Sequence, residues 1–273
     1  MRLHRFAAVT LASLVSAFAF LSSTLVRAEE DPAAAAATKL GDAYAKAGPV
    51  DRLVLLSVAR QEKTLDHKES GAAAAAVVLG EIAKGKTPEE RLRILGKLRA
   101  EAIAQVKTLN EARTKEKKPY LSLIDAESDV QNATAMAYLA DVGGAAPTID
   151  ALAAPLALVR EATEWSANTD LVKSAAGDAL NRDEGYRKAD AAGKLDIIAK
   201  MSDRKMLSDF ERSALEKPVI EPWVRAELLV GKSAAETLEK VKILNKNGRI
   251  CFFTSSWITG IIGRFDAVGG LKK

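Results

Sequence analysis

The sequence predicts an all-α fold: an elongated antiparallel helical bundle with a less regular C-terminal segment. Three observations carry this. The 273 residues are 48% hydrophobic but only 5% aromatic, and alanine supplies much of the apolar share, in runs such as Ala33–Ala37 and Ala72–Ala76. Strands favour β-branched and aromatic residues, whereas Ala, Leu, Glu and Lys are strong helix formers. Apolar residues also recur every third or fourth position, most clearly from Leu92 to Leu109, as a helix facing partner helices requires. Finally, short polar breaks separate the helical stretches, and short connections force neighbours to run in opposite directions. No repeat of fixed period is found, which argues against a solenoid. Cys251 is the single cysteine, so an intrachain disulfide and a cysteine-rich zinc site are excluded.

Each element has its own signals. Asp31 and Pro32 suit the cap and first turn of a helix that Gly48-Pro49 stops. A second stretch starts at Asp51 and runs through Ala72–Ala76 to Leu79, despite Gly71. Thr87-Pro88-Glu89-Glu90 is a capping box opening the clearest helix. Its apolar stripe is Leu92, Leu95, Leu98, Ala102, Val106 and Leu109, and Lys117-Lys118-Pro119 ends it. Leu121–Val142 reads as a helix closed by Gly143-Gly144, and Thr148–Trp165 as a helix kinked at Pro155. Asn168 or Thr169 caps a helix ending near Leu180. Ala189–Met201 and Ser202–Leu215 follow, and Pro218 breaks the run. Ser233 and Glu236 form a second capping box, opening a helix through Leu244.

Residues 1–28 read as a secretory signal peptide. Arg2 and Arg5 form a basic start, Phe6–Val26 is uncharged and largely apolar, and Val26-Arg27-Ala28 fits a cleavage site between Ala28 and Glu29. The competing reading is an uncleaved membrane anchor. The whole chain has 40 basic and 36 acidic residues; without Arg2, Arg5 and Arg27 the count is 37 against 36. A near-neutral chain lacks the concentrated basic face that nucleic acid demands, so no nucleic-acid partner is expected. Residues 29–247 form the expected helical domain, and residues 248–273 the apolar C-terminal segment.

Within that segment Ile250–Gly263 is an uncharged run of 14 residues, too short to span a bilayer. One reading is the tail of a lipid-anchor signal, with Asn247 among the attachment candidates and the membrane as partner. Arg264, Asp266, Lys272 and Lys273 depart from that pattern. A β-hairpin turning at Asn247-Gly248, or a poorly packed end, are the alternatives.

Few residues suggest chemistry. Gly80, Gly85, Lys86 and Thr87 fit the phosphate-loop spacing, in which backbone N–H groups and the lysine hold phosphates. Glu81, Pro88 and the upstream alanine run oppose this, and the simpler reading is that Gly85 ends one helix and Thr87 caps the next. His67 lies among charged residues, where a solvated helix position is the ordinary explanation. Asp125 with Asp129, and Glu81 with Glu89-Glu90, are carboxylate pairs of the kind acid–base chemistry uses and wet helix faces also carry. Asn181–Gly185 lacks the spacing of a calcium loop. Asn132-Ala133-Thr134 is a glycosylation sequon, which requires Asn132 to be exposed. Trp165 and Trp223 read as core pins. No catalytic residue, metal ligand or cofactor is expected.

The alanine runs Ala33–Ala37 and Ala72–Ala76, the Glu/Lys faces, the leader and the apolar tail together resemble the alanine-rich surface coat proteins of trypanosomes, the glutamic acid/alanine-rich type in particular. The resemblance is compositional and covers residues 1 to about 247. It implies an extended helical bundle held on the membrane by a glycolipid. A local stretch from Pro222 to Gly248 is similar to the first strand–helix unit of the proline dehydrogenase barrel, although too little chain follows for a barrel. The expected function is a non-enzymatic surface or secreted coat protein, with host or self contacts around Gly143-Gly144 and Asn181–Gly185. A secreted effector or binding module is the alternative, and a nucleotide-binding protein using Gly80–Thr87 a third.

Overall fold

A computed structural model describes residues 32–124, 128–144, 148–229 and 233–267. Among them the chain forms twelve α-helices and one 3₁₀ turn, with no strand. The helices pack antiparallel, as the short links require, and the all-α prediction holds. The signal-peptide residues, with the cleavage pair Ala28 and Glu29, lie outside the described residues.

Local chemistry sets the first four helices. Helix α1 (Pro32–Lys46) is bent at Gly41, whose φ of +68° is a left-handed value that glycine adopts without strain. Helix α2 (Pro49–Gln61) starts on Pro49. The expected continuous helix to Leu79 is split: α3 (His67–Ile82) begins on a reciprocal capping box in which Asp66 accepts from Glu69 N–H at 2.7 Å and Glu69 accepts from Asp66 N–H at 3.1 Å. The Glu69 carboxyl is held below its usual range, first by the hydrogen bond from Lys39 and then by the Asp66 backbone. Helix α4 (Pro88–Lys115) opens on the predicted Thr87 box. Leu92, Leu95, Leu98, Ala102 and Val106 are buried as expected, but Leu109 is exposed and Asn110 is buried in its place.

Asn110 explains why Leu121 does not begin a helix. Its amide donates to Leu121 C=O and accepts from Leu121 N–H, both at 2.7 Å. Ser57 Oγ accepts from Ile124 N–H at 2.9 Å. Side chains of α4 and α2 thus satisfy the backbone of an extended segment and let Leu121 and Ile124 enter the core. Helix α5 is described over Ser128–Gly144.

The remaining helices correct several sequence-based boundaries. A 3₁₀ turn (Asp150–Leu152) leads into α6 (Ala153–Ala162). Pro155 lies in its first turn, where a missing N–H is harmless. Helix α7 (Trp165–Arg182) starts before Asn168, on Glu164. Asp183 and Asp190 cap α8 (Glu184–Lys188) and α9 (Ala191–Asp203). Helix α10 (Asp209–Leu229) runs unbroken through Pro218 and Pro222. The prolines are exposed, whereas Glu216, Ile220, Val224 and Leu228 on the opposite face are buried, so core packing outweighs the lost hydrogen bonds. Helix α11 (Ala234–Lys246) opens on the predicted Ser233 box. The segment expected to be less regular forms α12 (Phe252–Ala267). The stretch likened to a strand–helix unit is the end of α10 followed by α11, with no strand among the described residues.

The larger core draws on α1 to α7 and α9 and includes Leu56, Leu92, Leu95, Leu156 and Ile198. The second joins α9 to α12 through Leu195, Ile220, Val224, Leu228, Val241, Ile250, Ile258 and Ile262. Small residues allow close approach in the first: a Cβ on Gly96 of α4 would sit 3.1 Å from Ala162 Cα on α6. Gly96→Leu is therefore expected to destabilise the fold by about 1–3 kcal/mol, measured as a lowered urea midpoint; an unchanged midpoint would show that α4 and α6 separate freely.

Candidate functional site

The phosphate-loop residues come together, but as a helix–turn–helix. Gly80 and the residues before it belong to α3, so no strand precedes the loop. Lys86 N–H and Thr87 N–H both donate to Glu90 Oε2, at 2.7 and 3.3 Å. The protein's own carboxylate occupies the N–H groups that a phosphate would need. Gly85 is a glycine for a packing reason: a Cβ there would meet Arg91 N at 2.8 Å.

The other sequence candidates are dispersed. His67 is the exposed first residue of α3, and Asp129 is exposed on α5; Asp125 lies outside the described residues. Glu81 pairs with Lys84, Glu89 with Arg93, and Glu90 caps α4. Asn132 is partly buried within α5, its Oδ1 is buried without a hydrogen-bond partner, and Thr134 is buried with its hydroxyl donating to Val130 C=O. Gly143-Gly144 ends α5, and Asn181–Gly185 is a tight junction in which Asp183 caps α8. Trp223 packs against the second core, while the Trp165 side chain lies outside the description. Asn247 ends α11, and Gly248 turns the chain at φ +71°. The β-hairpin weighed as one alternative there is a link between two helices.

The densest polar cluster surrounds the start of α10. Glu216, fully buried, accepts from Arg212 Nε at 2.5 Å and from Cys251 N–H at 3.0 Å. Arg212 also donates to Gly248 C=O at 2.5 Å. The Cys251 thiol donates to Asp209 C=O at 3.5 Å, and Thr254 Oγ donates to Ser213 Oγ at 3.0 Å. One turn earlier, buried Glu211 accepts from Arg160 of α6 and from Ser208 N–H at 2.6 Å. The Arg212–Glu216 bond lies within α10; each of the others joins α10 to another element or caps it. The cluster is a clamp that fixes α12 and the α11–α12 turn against α10.

This clamp positions an aromatic patch. Phe210, beside Asp209, stacks on Phe253 with ring centroids 4.4 Å apart, and Phe252 meets Phe253 edge-on at 5.9 Å. Phe252 is 68% exposed and Phe210 52%. These are all the phenylalanine side chains the structure describes, and a chain only 5% aromatic places them together on its surface. The uncharged run Ile250–Gly263 signals two of them. Phe210 carries no sequence signal, because only the α10–α12 contact brings it there. Other exposed apolar residues, such as Ile103 and Met136, have no such ring contacts, and isolated ones are normal.

Among the described residues no helix is long and apolar enough to cross a membrane, and no three His, Cys, Asp or Glu side chains gather as for a metal. An apolar cavity of about 170 Å³ between α1 and α2 is lined by Leu40, Tyr44, Leu55 and Val58. Burial raises the Tyr138 and Tyr186 hydroxyls above their ordinary range. No family model, curated protein or solved structure matches the chain.

Proposed function

We propose that this is an exported, non-enzymatic helical protein that acts at a surface by contact, in the manner of a coat protein or secreted binding module. The observation that carries the reading is the exposed Phe210–Phe252–Phe253 patch. Leaving aromatic rings in water is unfavourable, and a patch of this kind marks a contact face. The leader supports export. This reading puts the contact face at α10 and α12 and not at the Gly143-Gly144 and Asn181–Gly185 positions named from sequence.

The integration of α12 favours a mature chain that keeps its C-terminus. Removal after Asn247 would strip Ile250, Ile258 and Ile262 from the second core and leave Glu216 without Cys251 N–H. Lipid attachment at Asn247 is therefore the weaker form of the proposal. Intact mass spectrometry of the protein from its native cells, with surface labelling of those cells, tests both points. The expected species runs from Glu29 to Lys273 and is labelled from outside or released. An intracellular chain retaining residues 1–28 would overturn the export reading. A chain ending at Asn247 with an attached glycolipid would replace the secreted form with the anchored one.

A further inference from the structure

The aromatic patch continues along α12 as an uncharged face. Phe252, Phe253, Ser256, Thr259, Gly260 and Gly263 are all exposed, and no charge interrupts them before Arg264. The opposite face, Cys251, Thr254, Ile258 and Ile262, is buried in the protein. Gly260 and Gly263 are not required by internal packing, since a Cβ on either would meet nothing within 4 Å. Glycine weakens a helix, so its presence on the open side fits a surface that lies close against something external.

Charge says what that something is. Residues 240–273 hold seven basic residues and one acidic, whereas residues 29–239 hold 30 basic and 35 acidic. A chain that is nearly neutral overall is therefore polarised along its sequence, and the described basic residues of this stretch are Lys240, Lys242, Lys246, Arg249 and Arg264. Helix α11 packs on α12 and carries exposed Lys242 and Lys246, with exposed Arg249 in the intervening turn. Lys242 and Arg249 pair with Glu239 and Asp196; Lys246 and Arg264 have no carboxylate partner among the described residues. Rings that partition into the headgroup region, flanked by cations, are the attributes of an interfacial membrane helix.

We infer that α12 and Phe210 form a docking face for an anionic lipid surface, with the phenylalanine rings inserted among the headgroups and Lys246 and Arg264 against the lipid charge. This rests on the reading of the protein as a contact protein, needs no covalent lipid, and names the partner of its patch. The helix lies on the bilayer and does not cross it.

The test is vesicle co-sedimentation of the full chain and, in parallel, of the chain starting at Glu29, so that any contribution of the apolar leader is common to each wild-type and variant pair. Binding is expected to vesicles of phosphatidylcholine with about one-third phosphatidylserine, to be weak on phosphatidylcholine alone, and to fall at about 0.5 M salt. The triple variant Phe210→Ser, Phe252→Ser, Phe253→Ser should weaken binding at least about tenfold. Its unfolding midpoint, read separately, shows whether it is folded. Lys246→Glu with Arg264→Glu should do the same at an exposed site and provides the second arm. Equal binding to neutral and anionic vesicles, no binding, or binding indifferent to both variants would overturn the proposal. So would a concentration-dependent dimer abolished by the triple variant without vesicle binding, which would make a second copy the occupant. A retained intracellular protein that still binds vesicles would refute export alone, and an exported one that ignores them would refute this inference alone.

Discussion

A chain ended at Asn247 is expected to lose the cooperative unfolding of its C-terminal helices. It lacks Ile250, Ile258 and Ile262, which are at most 2% exposed. Each buried isoleucine contributes about 1.5–3 kcal/mol, or about 5–9 kcal/mol together, against a total stability of about 5–15 kcal/mol for an ordinary domain. Ile220, Val224 and Val241 would face water where α12 had covered them. Circular dichroism during urea unfolding, with a dye that reports exposed apolar surface, measures this. Unchanged midpoint and slope would show that α12 is dispensable, and would restore the removable-signal reading of residues 248–273.

Glu216→Ala is expected to lower stability by about 3–5 kcal/mol. The carboxylate is fully buried, and its removal leaves the Arg212 guanidinium, 10% exposed at the side chain, with no anion beside it. It also orphans Cys251 N–H at the start of α12. A double replacement, Glu216→Leu with Arg212→Met, should recover most of the loss, because two apolar groups of similar size carry no uncompensated charge. Thermal unfolding of the single and double variants decides it. If the single substitution costs under about 1 kcal/mol, the pair behaves as a solvated surface bridge and the clamp assignment fails.

Local signals made much of the fold legible. The Thr87 and Ser233 boxes place two helix starts because a cap is a property of four consecutive residues. The stripe Leu92–Val106 is read from spacing alone, since a helix repeats its face every three to four residues. The same spacing misleads at Leu109, because Asn110 is taken by the backbone of Leu121. Pro218 reads as a break, yet a helix with its prolines toward water and its apolar face buried tolerates them. Gly80–Thr87 reads as a phosphate loop only while Glu90 is ignored; the motif does not state which anion its N–H groups receive.

What the sequence alone determined is the all-helical class, the main caps and the uncharged character of Ile250–Gly263. Those follow from propensities and from contacts within a few residues. The fate of that uncharged run was decided by tertiary structure, through Glu216 and Arg212 holding Cys251 and Gly248 from more than thirty positions away. The same contact set Phe210 against Phe253. Burial and ring stacking depend on which helices meet, and the strength of that meeting comes from a core assembled across the whole chain.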